Sequence, residues 1–212
     1  MCYKLSQEEI KMVLEIINTI AIIIASVVAI YGIDAWKKEF SGKRRIELAE
    51  DVLALFYEAK DIISAVRSPM GFQGEGSTRK PQEGETPEQK KARDDAYVVF
   101  ERFGAKQELF SELHSKRYQF MARFGTDKIK PFEDLRRIQI EIIVSARALA
   151  RIWERRGDNE QSEKRRLKHE AVIWEEMEDD EINTRLKKVI SDIEAICRPI
   201  ILGKKNRLRF SL

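Results

Sequence analysis

Apolar positions along the chain form one solid block and several periodic stripes. The block runs from Ile16 to Ile33, 18 residues without a charge, bounded by Glu15 and Asp34. As a helix it is about 27 Å long, close to the roughly 30 Å of a bilayer's hydrocarbon. Asn18, Thr19, Ser26 and Gly32 are weak interruptions. A helix without a polar face must be covered on every side, by lipid or by a protein core. The pattern predicts a transmembrane helix over 16–36, with Tyr31 and Trp36 at the interface that amphipathic rings favour. A buried core helix is the competing reading. A cleaved signal peptide fits less well, because the start carries Glu8, Glu9 and Glu15 against Lys4 and Lys11, and no small-residue cleavage site follows Gly32.

The stripes recur every three or four residues, the helical period. Ile46, Ala49, Leu53, Phe56, Ile63 and Val66 predict a helix over about 44–67, which can continue the membrane helix with Gly42 as a weak point. Ser68-Pro69 ends it. Residues 68–86, with Gly71, Gly74, Gly76, Gly84, Pro69 and Pro81, read as the one clear linker, long enough to be mobile or functional. Thr86-Pro87-Glu88 opens the next helix with a cap, a first-turn proline and an acid. Val99, Phe100, Phe103, Phe110, Leu113, Phe120 and Phe124 carry that helix unbroken from 87 to 124, where Gly125 ends it. Leu135, Ile138, Ile142, Ala146, Leu149 and Trp153 give a heptad-like seam from about 131 to 156. Leu167, Ala171, Trp174, Ile182, Val189, Ile193, Ile196 and Ile200 carry a last helix from about 159 to 201, with a weak break near 179. No segment alternates with period two. The expected fold is all-α: an N-terminal transmembrane helix followed by an elongated antiparallel four-helix bundle over 37–201, its short turns favouring antiparallel neighbours.

Charge adds orientation. Lys37, Lys38, Lys43, Arg44 and Arg45 crowd behind the apolar block, while the first 15 residues hold two Lys and three Glu. The positive-inside rule places residues 1–15 outside and the bulk of the chain in the cytoplasm of a single-pass inner-membrane protein, with Trp36 and these cations at the bilayer surface. Asn18, Ala25 and Gly32 recur every seven residues, with Ala21 and Ala29 beside them. Small side chains and an amide suit close pairing of two membrane helices. The tail over 202–212 interleaves Lys204, Lys205, Arg207 and Arg209 with Leu208, Phe210 and Leu212, a pattern for contact with a membrane or a partner. In an antiparallel hairpin turning near 157, Arg151 falls opposite about 163, Arg147 opposite about 167, and the acidic block 175–181 faces Arg136 and Arg137.

Composition narrows the chemistry. Lys and Arg number 39 against 36 Asp and Glu, a net charge of +3, so no basic excess points to a nucleic-acid partner. Two cysteines, Cys2 and Cys197, exclude a disulfide scaffold. The Gly-rich run from Gly71 to Thr78 lacks a phosphate loop's lysine, since Ser77 stands in its place, and a helix rather than a strand precedes it. Three residues before His114 is Ser111 and three before His169 is Arg166, so neither histidine completes a di-iron Glu-x-x-His. Cys197 falls on an apolar helix face and reads as core. No catalytic, cofactor-binding or metal-binding residue is assigned, and no small-molecule substrate is evident.

Trp36-Lys37-Lys38, Gly42-Lys43-Arg44-Arg45, Leu48-Ala49-Glu50 and Leu53 through Ala59, with the Gly-rich segment from Ser68-Pro69 to Gly76, resemble a set of bacterial single-span inner-membrane proteins with a helical cytoplasmic domain. The likeness covers roughly the first 80 residues and implies a bacterial inner-membrane setting without an established activity. The function expected is a non-enzymatic membrane-anchored scaffold or partner-recruiting module, contacting its partner through 68–86 and the tail. The alternative is a self-associating membrane effector, a pore or stress-response element, assembled through the transmembrane helix.

Overall fold

A computed structural model describes residues 7–72, 74–155, 159–176 and 180–203. Among them all regular structure is helical: α1 (Gln7–Arg67), α2 (Pro87–Gly104), α3 (Gln107–Phe124), α4 (Lys130–Arg155), α5 (Glu160–Ile173) and α6 (Glu181–Ile201), with a 3-10 turn at Thr126–Lys128. The chain divides into two compact units, 1–46 and 47–212.

In the first unit α1 carries one segment long and apolar enough to cross a membrane, and none of its apolar window is buried. Every residue from Ile16 to Ile33 is exposed. Thr19 and Ser26 hydroxyls donate to the carbonyls of Glu15 and Ile22, both at 2.8 Å, so the helix itself satisfies these two hydroxyls.

The second unit is built on the predicted stripes. Ala49, Val52, Phe56, Ala59 and Ile63 of α1 are fully buried, together with Phe120, Ile142, Ala146, Leu149, Ile173, Ile193 and Cys197. Phe132 sits edge-on to Phe56 at 4.9 Å and tilted on Phe120 at 5.3 Å, which joins α1, α3 and α4 in one aromatic cluster. Polar pairs add register. Lys116 reaches Asp51 at 2.6 Å, Arg185 reaches Glu141 at 2.8 Å, and Arg198 donates to Glu194 (2.8 Å) and to the Tyr57 hydroxyl (3.1 Å). The Tyr57 hydroxyl in turn donates to Glu194.

Local signals set most helix ends. Thr86 and Gln89 form a reciprocal capping box with Pro87 in the first turn. Asn159 caps α5 through Ser162 N–H at 2.7 Å. Gly125, at φ 100°, follows the last residue of α3.

Three expectations are corrected. The helix expected over 87–124 is two helices, broken at Ala105-Lys106. Gly104 weakens the helix there by about 1 kcal/mol relative to alanine, and the Phe103 and Phe110 rings meet edge-to-face at 5.6 Å across the break. The last helix is also two, because Trp174 turns extended and α6 restarts only after Asp180. Leu167, expected in the core, is 51% exposed.

Candidate functional site

The residues singled out for membrane association all lie on α1. Asn18, Ala21, Ala25, Ala29 and Gly32 are exposed, as are Trp36, Lys37, Lys38, Lys43, Arg44 and Arg45. Trp36 stacks on Phe40 at 5.6 Å, and the Arg44 guanidinium lies 4.9 Å from the same Phe40 ring. Lys204, Lys205, Arg207, Arg209 and Phe210 lie outside the described residues, as do Cys2, Glu178 and Asp179.

The segment 68–86 is bound to α2 by a network of charges. Arg102 donates to the carbonyls of Ala65 (3.1 Å), Val66 (3.1 Å), Ser68 (2.8 Å) and Met70 (2.9 Å), and so closes the C-terminal end of α1. It also holds both Glu75 oxygens, at 3.2 and 2.7 Å. Arg79 forks onto Glu85 with two 2.8 Å bonds and reaches Asp94 at 2.9 Å. Arg93 adds a 2.6 Å bond to Glu85, and Lys90 a 2.6 Å bond to Asp94. The Arg79 and Glu85 side chains are only 13% and 5% exposed, so this pair is less screened than an ordinary surface ion pair.

The Gly-rich turn does bind an anion, but one from its own chain. Gly76 N–H donates to Glu101 at 2.6 Å and Thr78 N–H at 3.1 Å, and the Thr78 hydroxyl donates to the same carboxylate. Successive backbone amides around a positive-φ glycine form an anion-binding concavity, and here a side-chain carboxylate sits where a nucleotide loop places phosphate. Arg79, Lys90, Arg93 and Arg102 meet Glu75, Glu85, Asp94 and Glu101, so the clasp's own charges balance.

The Arg79 and Arg93 hydrogen bonds hold the Glu85 carboxyl down at about 2, and Arg102 lowers Glu75. For Asp94 and Glu101 burial pushes upward, but the hydrogen bonds from Lys90 and Arg79, and from Thr78 and Gly76, outweigh it and leave both low. Lowered folded-state values mean stability that is full above the ordinary carboxylate range and lost as pH falls through the lowered values. Hydrogen exchange at the Gly76 and Thr78 amides, corrected for intrinsic rate, is therefore expected to lose protection over the acid range below about pH 4.5, while core amides of α4 keep theirs. Full protection at the low end of that range would remove the electrostatic account.

Arg67, the last residue of α1, is completely buried. It donates to the carbonyls of Ala171 (3.0 Å), Val172 (2.9 Å) and Trp174 (2.9 Å) at the end of α5. It pairs with Asp180 at 2.9 Å. Asp180 caps α6 through Asn183 N–H at 2.9 Å and takes Glu176 N–H at 3.1 Å. Among the described residues the acidic block makes no ion pair with Arg136 or Arg137: Asp180 serves Arg67, Glu175 accepts from Asn183 at 2.5 Å, and Arg137 contacts Asp134 at 3.3 Å. Arg147 lies over the Phe100 ring at 5.6 Å, and Arg151 is exposed.

A groove of about 490 Å³ opens between the end of α2, α3 and the start of α4. Phe103, Phe110, Leu113, Phe132 and Leu135 form its apolar part. Arg117, Arg136, His114 and Gln139 supply much of its polar lining, and no Asp or Glu lines it. Arg117 Nε is buried with no hydrogen-bond partner among the described residues, an arrangement that costs about 1–3 kcal/mol. Sequence periodicity marks Phe103, Phe110, Leu113 and Leu135 as core and gives no sign of the space between them.

The remaining reactive groups are quiet. His169 Nδ1 lies 3.1 Å from Ser145 Oγ, and burial, then the Lys168 and Arg165 charges, lower its pKa. His114 is exposed, edge-on to Tyr118 at 5.3 Å. Burial pushes the Cys197 thiol up to about 12, so it is no nucleophile near neutral pH. Among the described residues no three His, Cys, Asp or Glu gather as metal ligands would. Comparisons with protein-family models, curated proteins and solved structures return no match to this chain.

Proposed function

We propose that this protein is a membrane-anchored, non-enzymatic helical scaffold that recruits a partner to the cytoplasmic face of the inner membrane. One observation carries the reading: the uncharged window Ile16 to Ile33 is exposed throughout, with Ile22, Ile23 and Ile24 at 59, 57 and 58%. Nothing described in this chain covers it, and so large an apolar surface is stable only in lipid or against another apolar helix. Lys37, Lys38, Lys43, Arg44 and Arg45 then orient the chain with 1–15 outside. The helices over 37–201 are read as an elongated antiparallel bundle, which the Tyr57–Arg198 and Arg67–Asp180 contacts (3.1 and 2.9 Å) support, because the partner's number falls as α1 advances. Partner contact through 68–86 is supported by Met70 and Phe72, 80 and 82% exposed on a segment that the charge clasp holds in place.

The test is membrane fractionation at native expression level, followed by crosslinking and mass spectrometry. The expected result is release by detergent but not by alkaline carbonate, with one soluble protein crosslinked through 68–86. Release by carbonate would make 16–33 a helix covered by protein. Crosslinks only between copies would favour a self-associating effector assembled on the exposed Asn18/Ala25/Gly32 face, in which small residues permit close approach.

A further inference from the structure

The groove between α2, α3 and α4 takes no part in anchoring or in the contact through 68–86. We propose that it binds a single-chain amphiphile with an anionic head, an acyl carboxylate or an alkyl phosphate. The chain lies on Phe103, Phe110, Leu113, Phe132 and Leu135, and the head meets Arg117 and Arg136. This proposal does not rest on the scaffold reading.

Four observations converge. The volume, about 490 Å³, lies within the range of about 300–1,000 Å³ usual for small-ligand pockets. The apolar residues include three aromatic rings contributed by α2, α3 and α4. The only full charges in the lining besides the titratable His114 are two guanidiniums, with no carboxylate to neutralise them. Guanidiniums bind carboxylate and phosphate through paired N–H bonds, and water exclusion by a filled groove would strengthen them. Finally, Arg117 has a buried Nε that lacks an acceptor among the described residues, and an anionic head supplies one.

The floor decides between a slim ligand and a protein helix. Phe103, Leu113, Phe132 and Leu135 expose 7, 7, 3 and 1% of their surface. A helix lying across the mouth would meet mainly the polar rim, since helix-in-groove docking needs broad apolar contact. A single alkyl chain reaches between the rings. Its gain comes from burying methylene groups, and the arginines select the head.

The probe is lauric acid carrying a terminal diazirine, added to the full-length protein in nanodiscs, with photo-adducts mapped by mass spectrometry. Adducts are expected within 103–117 and 132–139. Unlabelled laurate and dodecyl phosphate should displace them, and the stronger competitor identifies the head; dodecanol should not. The double variant Arg117→Gln, Arg136→Gln should need about tenfold more probe for equal labelling of the groove, with labelling of 16–33 unchanged. Ser111→Trp, at an exposed rim position, keeps the charges and narrows the mouth, so it should also reduce groove labelling. If the double variant melts early by circular dichroism, the Ser111→Trp result decides. Labelling confined to 16–33, equal displacement by dodecanol, or indifference to these substitutions would overturn the proposal. So would displacement by an acidic amphipathic peptide at lower concentration than either amphiphile, which would give the groove to a protein partner.

Discussion

Replacing Arg67 by methionine is expected to destabilise unit 47–212 by about 3–5 kcal/mol, the range for removing one member of a buried ion pair. For a domain of this size that lowers the thermal midpoint by roughly 10 °C. Methionine keeps much of the apolar volume and removes every donor. The carbonyls of Ala171, Val172 and Trp174 then lose their bonds, and Asp180 loses its cation. These groups sit where α5 stops and α6 begins, so the loss falls on the junction itself. The Arg67 carbonyl also accepts Glu175 N–H at 2.8 Å, a backbone bond that the substitution leaves in place. Asp180 is held below the ordinary carboxylate range: burial pushes it up, but the Asn183 N–H, the Arg67 pair and the Glu176 N–H together win. Removing Arg67 should therefore raise the Asp180 pKa. The double variant Arg67→Met, Asp180→Asn should cost less than the sum of the single changes, because their interaction is counted once. A thermal melt by far-UV circular dichroism checks both points. A midpoint within a degree or two of the parent would mean that packing alone sets the α5–α6 junction.

Gly76→Ala is expected to cost about 2–4 kcal/mol, combining a strained backbone with a steric overlap. Gly76 has φ 81°, where side chains are disfavoured, and an added Cβ would overlap the backbone carbonyl oxygen of Asp94 and lie 2.8 Å from its carbon. Backbone at that position can give way only by moving α2 or the turn. Either movement pulls the Gly76 and Thr78 amides off Glu101, so the damage should appear as lost exchange protection at those amides. Gly84 is the internal control. Its φ is 83°, but a Cβ there meets nothing within 4 Å, so Gly84→Ala should show only the backbone term, about 1–2 kcal/mol. Equal costs at the two sites would mean that the close approach of the turn to α2 contributes nothing.

These effects bear on the functional reading. A scaffold that presents Met70 and Phe72 needs those residues held in one place while they stay exposed. Arg102 and the Glu101 amide cradle do this without burying them. The segment expected to be either mobile or functional is thus fastened at one edge. If it is the contact surface, Gly76→Ala should weaken partner crosslinking through 68–86 and leave membrane extraction unchanged.

The primary structure was sufficient wherever the determining physics is local. Eighteen uncharged residues from Ile16 to Ile33 need a covering on every side whatever follows them. Thr86 with Gln89, Asn159 and Gly125 act on backbone groups within three or four residues, so their helix ends are readable from spacing. The stripes through Phe56, Phe120 and Ile142 repeat at the helical period and mark the core. Other features depend on residues far apart in the chain. Nothing in residue order singles out Arg67, and only the fold brings it to carbonyls more than a hundred positions away and buries it among them. The same pairing stops α5 at Ile173 although the apolar period runs on. Helical spacing also carries through Ala105-Lys106, because a helix and a tight break between two helices can place the same residues inward. The groove beside Arg117 is empty volume set by how three helices meet, and volume has no signature in residue order.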